Sequence, residues 1–104
     1  MSTLTTELAT ARAIRVAVTE DTLAVDLTDG RTISAPLEWY PRLFHGTAAE
    51  WQDWRLIGDG EGIHWEQLDE DISIEGLLAG RASGESEKSL GRWLKNRKTD
   101  NKPS

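Results

Sequence analysis

From Ala11 onward the apolar residues recur at every second position, a period that belongs to a half-buried strand and not to a helix. Ile14, Val16 and Val18 share one face, with Arg15, Ala17 and Thr19 on the other. Glu20-Asp21-Thr22 turns the chain, and Leu23, Val25 and Leu27 repeat the alternation. Asp29-Gly30 then supplies a two-residue turn that favours positive φ, a strong hairpin signal. Arg31 to Ala35 follows as a third short strand with Ile33 and Ala35 facing inward. The pattern predicts a three-stranded antiparallel meander with one apolar face, and that face needs a cover.

The cover comes from Pro36 to Leu78, a stretch holding four of the five tryptophans. Pro36 ends the third strand, and Pro41 suits the first turn of a short helix running to about His45, where Gly46 breaks it. Thr47 and Glu50 have the spacing of a capping box, opening a brief helix that ends near Asp53. Trp54 to Ile57 and Gly62 to Trp65 read as a fourth and a fifth strand, joined as a hairpin through Gly58 to Glu61. Asp71 or Ser73 caps another helix, in which Ile74, Leu77 and Leu78 lie on one face and which Gly80 stops. The fold class expected is α+β: an antiparallel sheet made of the meander plus one or two later strands, with short helices and a C-terminal amphipathic helix.

Residues 1–10 are polar and Thr-rich and read as a loose lead; 11–80 form the single α+β domain; 81–104 are a linker and a basic helix. In that helix Leu90, Trp93 and Leu94 share a face, ringed by Lys88, Arg92, Lys95, Arg97 and Lys98. Thr99 to Ser104 read as frayed. Charge divides at the same point: residues 1–80 carry 15 acidic and 5 basic side chains, residues 81–104 carry 3 and 7. An acidic body with a basic tail repels nucleic acid through most of its surface, so nucleic acid is not the expected partner.

With 104 residues there is room for one core, and five tryptophans against one Phe and one Tyr make each large side chain count. The absence of cysteine excludes a disulfide framework, thiolate metal sites and a thiol nucleophile, and fits a reducing, cytoplasmic setting. The N-terminus lacks the basic and apolar regions of a signal peptide. No apolar run approaches the ~20 residues that span a bilayer.

The order Asp29-Gly30-Arg31, Pro36-Leu37, Trp39 to Leu43, Trp54, Leu56 to Gly58, Gly60, Gly62 to Trp65, Leu68 to Ser73 and Glu75 to Leu78 resembles a small bacterial domain family of unknown function, numbered 2442. Ser83 to Ser86 and Arg92-Trp93-Leu94 resemble the tail on many members. The resemblance implies a small α+β domain with no established reaction. It also implies a gene often paired with a second small protein, an arrangement read as toxin and antitoxin with this family as the antitoxin. The added helix-turn-helix domain of some relatives has no counterpart in the one tail helix here.

No catalytic set stands out. Asp59, Glu61, Asp69, Glu70 and Asp71 are the densest acidic region, but their spacing is not that of a calcium loop, and a solvated turn and helix start explain them. Gly58 to Gly62 lacks the Lys and Ser/Thr of a phosphate loop and reads as a hairpin turn. His64, with Glu66 or Asp69 as orienting acid, lacks a nucleophile; His45 sits at a helix end, where an imidazole satisfies a free carbonyl. The expectation is therefore a non-enzymatic protein-binding module, with no catalytic residue, no metal and no cofactor. The candidate contact residues are Trp39, Tyr40 and Arg42, crowded by flanking prolines into an exposed patch; the acidic Asp69, Glu70 and Asp71; and the apolar Leu90, Trp93 and Leu94 of the tail. The partner expected is a protein, with self-association as a further option. The alternatives are a DNA-associated autoregulator acting through the tail and, behind it, a small metal- or His-dependent enzyme.

Overall fold

The computed structural model describes residues 11–100; the loose lead expected for 1–10 lies outside them, and of the stretch Thr99 to Ser104 expected to fray, 101–104 lie outside them while Thr99 and Asp100 end the last helix. Strands β1 (Ala13–Val18), β2 (Thr22–Leu27) and β3 (Thr32–Pro36) form the expected antiparallel meander, in the order β1-β2-β3. Gly30, at φ +93°, makes the β2–β3 turn, and the Asp29 carboxylate accepts the Arg31 backbone N–H at 3.1 Å. One face departs from simple alternation. Ala13 pairs with Leu27 and Arg15 with Asp26, so β1 carries one extra residue, a bulge at Ile14. The bulge turns Ile14 outward, 53% exposed, and places Ala13 inside beside Val16. Ile14 is thus not the core residue its alternation predicted.

After β3 come a 3-10 turn (Leu37–Trp39), helix α1 (Pro41–Phe44) and helix α2 (Ala48–Gln52). The capping box at α2 is present in full: the Glu50 N–H donates to the Thr47 hydroxyl at 3.2 Å, and the Thr47 N–H donates to the Glu50 carboxylate at 2.9 Å. Strands β4 (Trp54–Ile57) and β5 (Gly62–Trp65) make the second hairpin. A sixth strand, β6 (Glu70–Ser73), pairs with β5, followed by α3 (Ile74–Leu78) and α4 (Glu87–Asp100).

The later strands do not extend the meander; they form their own sheet, ordered β4-β5-β6. The expected turn and helix start at Asp69–Asp71 is instead mostly strand. Asp69, at φ +52°, closes the reversal after β5, and Glu70 then lies opposite Trp65. Of the two proposed caps it is Ser73 that caps α3, its hydroxyl accepting the Gly76 N–H at 2.9 Å.

A shared core joins the sheets. Leu23, Leu37, Leu43, Ile63, Trp65 and Leu68 are fully buried, while Trp39, Trp51, Trp54 and Trp93 pack against them partly exposed. Two of these indoles have their N–H groups satisfied, as burial requires. Trp65 Nε1 donates to the Trp51 carbonyl at 3.0 Å, and Trp51 Nε1 to the Leu43 carbonyl at 2.7 Å. Among the described residues no helix is long and apolar enough to cross a membrane.

The β4–β5 turn passes close against β1: a Cβ on Gly60 (φ +98°) would lie 2.5 Å from the Ala13 carbonyl oxygen. Gly30 has a similar φ but open space around it. Gly60→Ala therefore adds a backbone clash to the conformational strain and should cost roughly 2–4 kcal/mol, against about 1 kcal/mol for Gly30→Ala. Urea unfolding of the two variants measures the difference; equal costs would mean that this approach carries no stability.

Candidate functional groove

The site is built outward from Arg42. Pro41 starts α1 with its φ already helical, and the next residue projects a guanidinium toward the acidic reversal before β6. Its Nη1 donates to the Asp69 carbonyl at 3.0 Å and to the Asp69 carboxylate at 3.3 Å. Nε and Nη2 form a two-pronged pair with Glu85, at 2.8 and 2.6 Å. The plane also lies 5.2 Å from the centre of the Trp93 ring. Arg97 sits 4.9 Å from the same ring, so two guanidinium groups contact one indole.

A second two-pronged pair repeats the arrangement. Arg97 donates from both Nη atoms to the two Glu50 oxygens, each at 2.9 Å. Glu50 thereby completes the α2 cap and tethers α4 with one carboxylate. The Arg97 hydrogen bonds hold Glu50 below the usual carboxylate range, and those of Arg42 do the same for Glu85. Ser89 adds a hydroxyl to Glu85 at 2.7 Å.

Between β6 and the strap of residues 81–86 lies a groove of about 550 Å³. The strap is fixed at its near end: the Tyr40 hydroxyl donates to the Arg81 carbonyl at 3.3 Å, and the Ser83 N–H to the Trp39 carbonyl at 2.9 Å. The Glu70 carboxylate lines the groove without a hydrogen bond or salt bridge to any described residue. Burial raises its pKa to about 7; Arg42 draws it down, while Glu85, Asp71 and Asp69 push it further up. Burial likewise raises the Tyr40 phenol, helped by Glu70.

His64 lies outside this groove. It is paired across strands with Asp71, and its Nδ1 makes a short contact with the Asp71 carboxylate while Nε2 meets Glu66 at 2.9 Å. Glu66 is thus one of its partners, but Asp71 and not Asp69 is the other. Those two bonds raise the imidazole pKa. Two carboxylates facing both ring nitrogens favour the protonated imidazole, a form that has no lone pair with which to act as a base. Ser73 is occupied as a cap, and the His45 ring meets Phe44 edge-on at 5.5 Å. Among the described residues no group of three or more His, Cys, Asp or Glu is placed to hold a metal ion.

Five of the nine nominated contact residues, Tyr40, Arg42, Asp69, Glu70 and Asp71, line this one groove, and Trp93 touches Arg42 beside it. Trp39 packs partly exposed against the core, and Leu90 and Leu94 are half-buried. Crowding by proline does not leave Tyr40 outside: it is only 3% exposed, because the 3-10 turn brings Leu37 and Tyr40 to the same inner side. Glu85, Ser89 and the Glu50–Arg97 pair carry no mark in the sequence. These partners are separated from one another or from Arg42 by up to 47 residues, so no local spacing marks them.

Two small antiparallel sheets sharing one core, short helices between them and a C-terminal helix tethered beside a polar groove define a small α+β domain. This chain belongs to the family described as protein of unknown function (DUF2442), whose model matches residues 13–83. No protein of curated function matches it. A crystal structure of a protein of unknown function from Rhodospirillum rubrum is similar at 30% identity and a TM-score of 0.62, covering 72% of this chain and 93% of that one. A solution structure of an uncharacterized protein from Chromobacterium violaceum shares the fold at 21% identity and a TM-score of 0.64, over 86% of this chain and 82% of that one.

Two outcomes follow from the charges. Glu70 binds its proton more tightly folded than unfolded, so its contribution is present below its ordinary value of 4.5 and is lost as pH rises through about 7. Glu70→Gln should therefore flatten the fall in stability between those values and raise stability at pH 8 by on the order of 1–3 kcal/mol after discounting for solvent. Urea midpoints across pH check this. Glu50 and Glu85 have the opposite sign: their contribution is present above the ordinary carboxylate range and is lost as pH falls through their depressed values. Protection from hydrogen exchange over residues 87–97 should therefore fall once the pH drops below the ordinary carboxylate value of 4.5, before the core strands open.

Proposed function

We propose that this chain is a non-enzymatic protein-binding module of the cytoplasm, acting as the antitoxin-like member of a two-gene pair. The observation that carries the reading is the convergence of contact-type residues from two separate segments, Tyr40 and Arg42 with Asp69 to Asp71, on one groove, beside a helix that is tethered and not sealed in. The tethers are ionic, and ionic contacts exchange for those of a partner at little net cost. In this mechanism the acidic body covers a basic surface of the partner. The α4 face carrying Leu90, Trp93 and Leu94 leaves its half-buried position and enters an apolar groove there. The two carboxylates clamping His64 favour the same reading, since they remove the most plausible general base.

Co-expression with the product of the adjacent reading frame, followed by pull-down and growth rescue, tests the proposal. A stable complex that restores growth is expected, and deletion of Ser86 to Ser104 should weaken it at least tenfold, about 1.4 kcal/mol. Undiminished affinity removes α4 from the mechanism. A neighbour that neither binds nor harms growth overturns the two-gene reading itself.

A further inference from the structure

We propose that Arg42 anchors a carboxylate-binding site in the groove and that Glu85 occupies this site in cis, making the strap of residues 81–86 a displaceable plug for a carboxylate-bearing ligand. The site is already assembled around the carboxylate it holds. Nε and Nη2 of Arg42 grip both Glu85 oxygens at 2.8 and 2.6 Å, and the Ser89 hydroxyl donates to one of them at 2.7 Å. The guanidinium is kept in plane by the Asp69 carbonyl and the face of Trp93. A planar fork fixed from behind is the usual means of carboxylate recognition.

Two properties distinguish this pair from a fastening that only holds the fold. First, Glu85 is delivered by a segment without helix or strand, next to Gly84, which has open space around it. Second, the pair faces an open groove of about 550 Å³, within the range of small-ligand sites, and not packed apolar side chains. The electrostatics favour exchange over addition. Asp69, Glu70 and Asp71 already line the groove, so a further anion would be repelled, but one that takes the place of Glu85 leaves the local charge unchanged. Glu70, protonated through much of the range below neutrality, offers an O–H to the arriving carboxylate. Because the plug is tethered, it competes at an effective concentration in the millimolar range and lowers the apparent affinity of any free ligand. The inference rests on the groove and holds whichever protein partner the chain takes.

The test uses the full chain and its Glu85→Gln variant, titrated at pH 7 and constant ionic strength with glutarate and with the blocked peptide N-acetyl-Ala-Glu-Ala-amide. The Arg42 Nε–H resonance and the Asp69 and Ser83 backbone amides report binding by NMR. Both probes should bind Glu85→Gln at least tenfold more tightly than the unaltered chain, and Arg42→Lys added to that variant should abolish the response. Tighter binding of the peptide than of glutarate assigns the site to a protein side chain; the reverse order assigns it to a free acid. Equal responses of the unaltered chain and Glu85→Gln, or no response from either, overturn the proposal. So does binding that persists after Arg42→Lys.

Discussion

The guanidinium of Arg42 is the point on which the outer half of this structure turns. It comes from α1, accepts its orientation from the reversal before β6, grips the strap through Glu85 and lies against Trp93 of α4. Four segments distant in sequence therefore meet at one cation. Its side chain is 16% exposed and that of Glu85 is 9% exposed, so neither charge is well solvated if the other leaves. In a sealed interior, removing one member of such a pair costs about 3–5 kcal/mol, chiefly because the remaining charge is stranded. Beside an open groove the cost is smaller. The arrangement is therefore firm enough to define one closed state and loose enough to exchange.

The inner half depends on a different constraint, the filling of a small core by few large side chains. Trp65 is fully buried, with its N–H satisfied by the Trp51 carbonyl, and Trp51 in turn satisfies its own N–H on Leu43. This relay ties β5 to α2 and α2 to α1, so the platform that carries Arg42 is positioned by the second sheet. α2 also supplies Glu50, whose carboxylate closes the capping box and receives Arg97. A local helix-start signal and a long-range tether thus share one side chain. Loss of that carboxylate would loosen both the start of α2 and the docking of α4.

What could be read from the chain alone follows the range of the forces involved. The meander, the Asp29-Gly30 turn, the capping box and the second hairpin are set by residues within a few positions of one another, and all are present. β6 was missed because its alternation carries a single apolar residue, Ile72, among Glu70, Asp71 and Ser73. Such a segment becomes a strand only when β5 offers it a hydrogen-bonding edge. Ile14 departs from its alternation because a bulge shifts the phase by one residue, and nothing in Ala13 to Arg15 announces an unpaired position. The groove is half legible: acidic and aromatic residues identify one wall, while Glu85 comes from a segment that composition describes only as a linker and Ser89 from a tail helix marked only by its apolar face.

The charge division along the chain takes on a new meaning in the folded state. A basic tail beside an acidic body suggests a cation reserve free for an outside partner, yet Arg97 is held by Glu50 and is stacked on Trp93. Trp93, in turn, touches Arg42, whose remaining hydrogen bonds go to Glu85 and Asp69. Release of α4 would therefore uncover an indole and a guanidinium on the arm together with the Glu50 carboxylate on the body. A partner able to engage the arm gains groups already in their contact geometry, but only by replacing bonds that the chain makes to itself. In such a binding mode selectivity would arise from competition: a surface offering charge alone would replace the ion pairs without covering Trp93, and an apolar surface alone would strand Glu50 and Arg97. Only a partner that matches both leaves no group worse off than in the closed form.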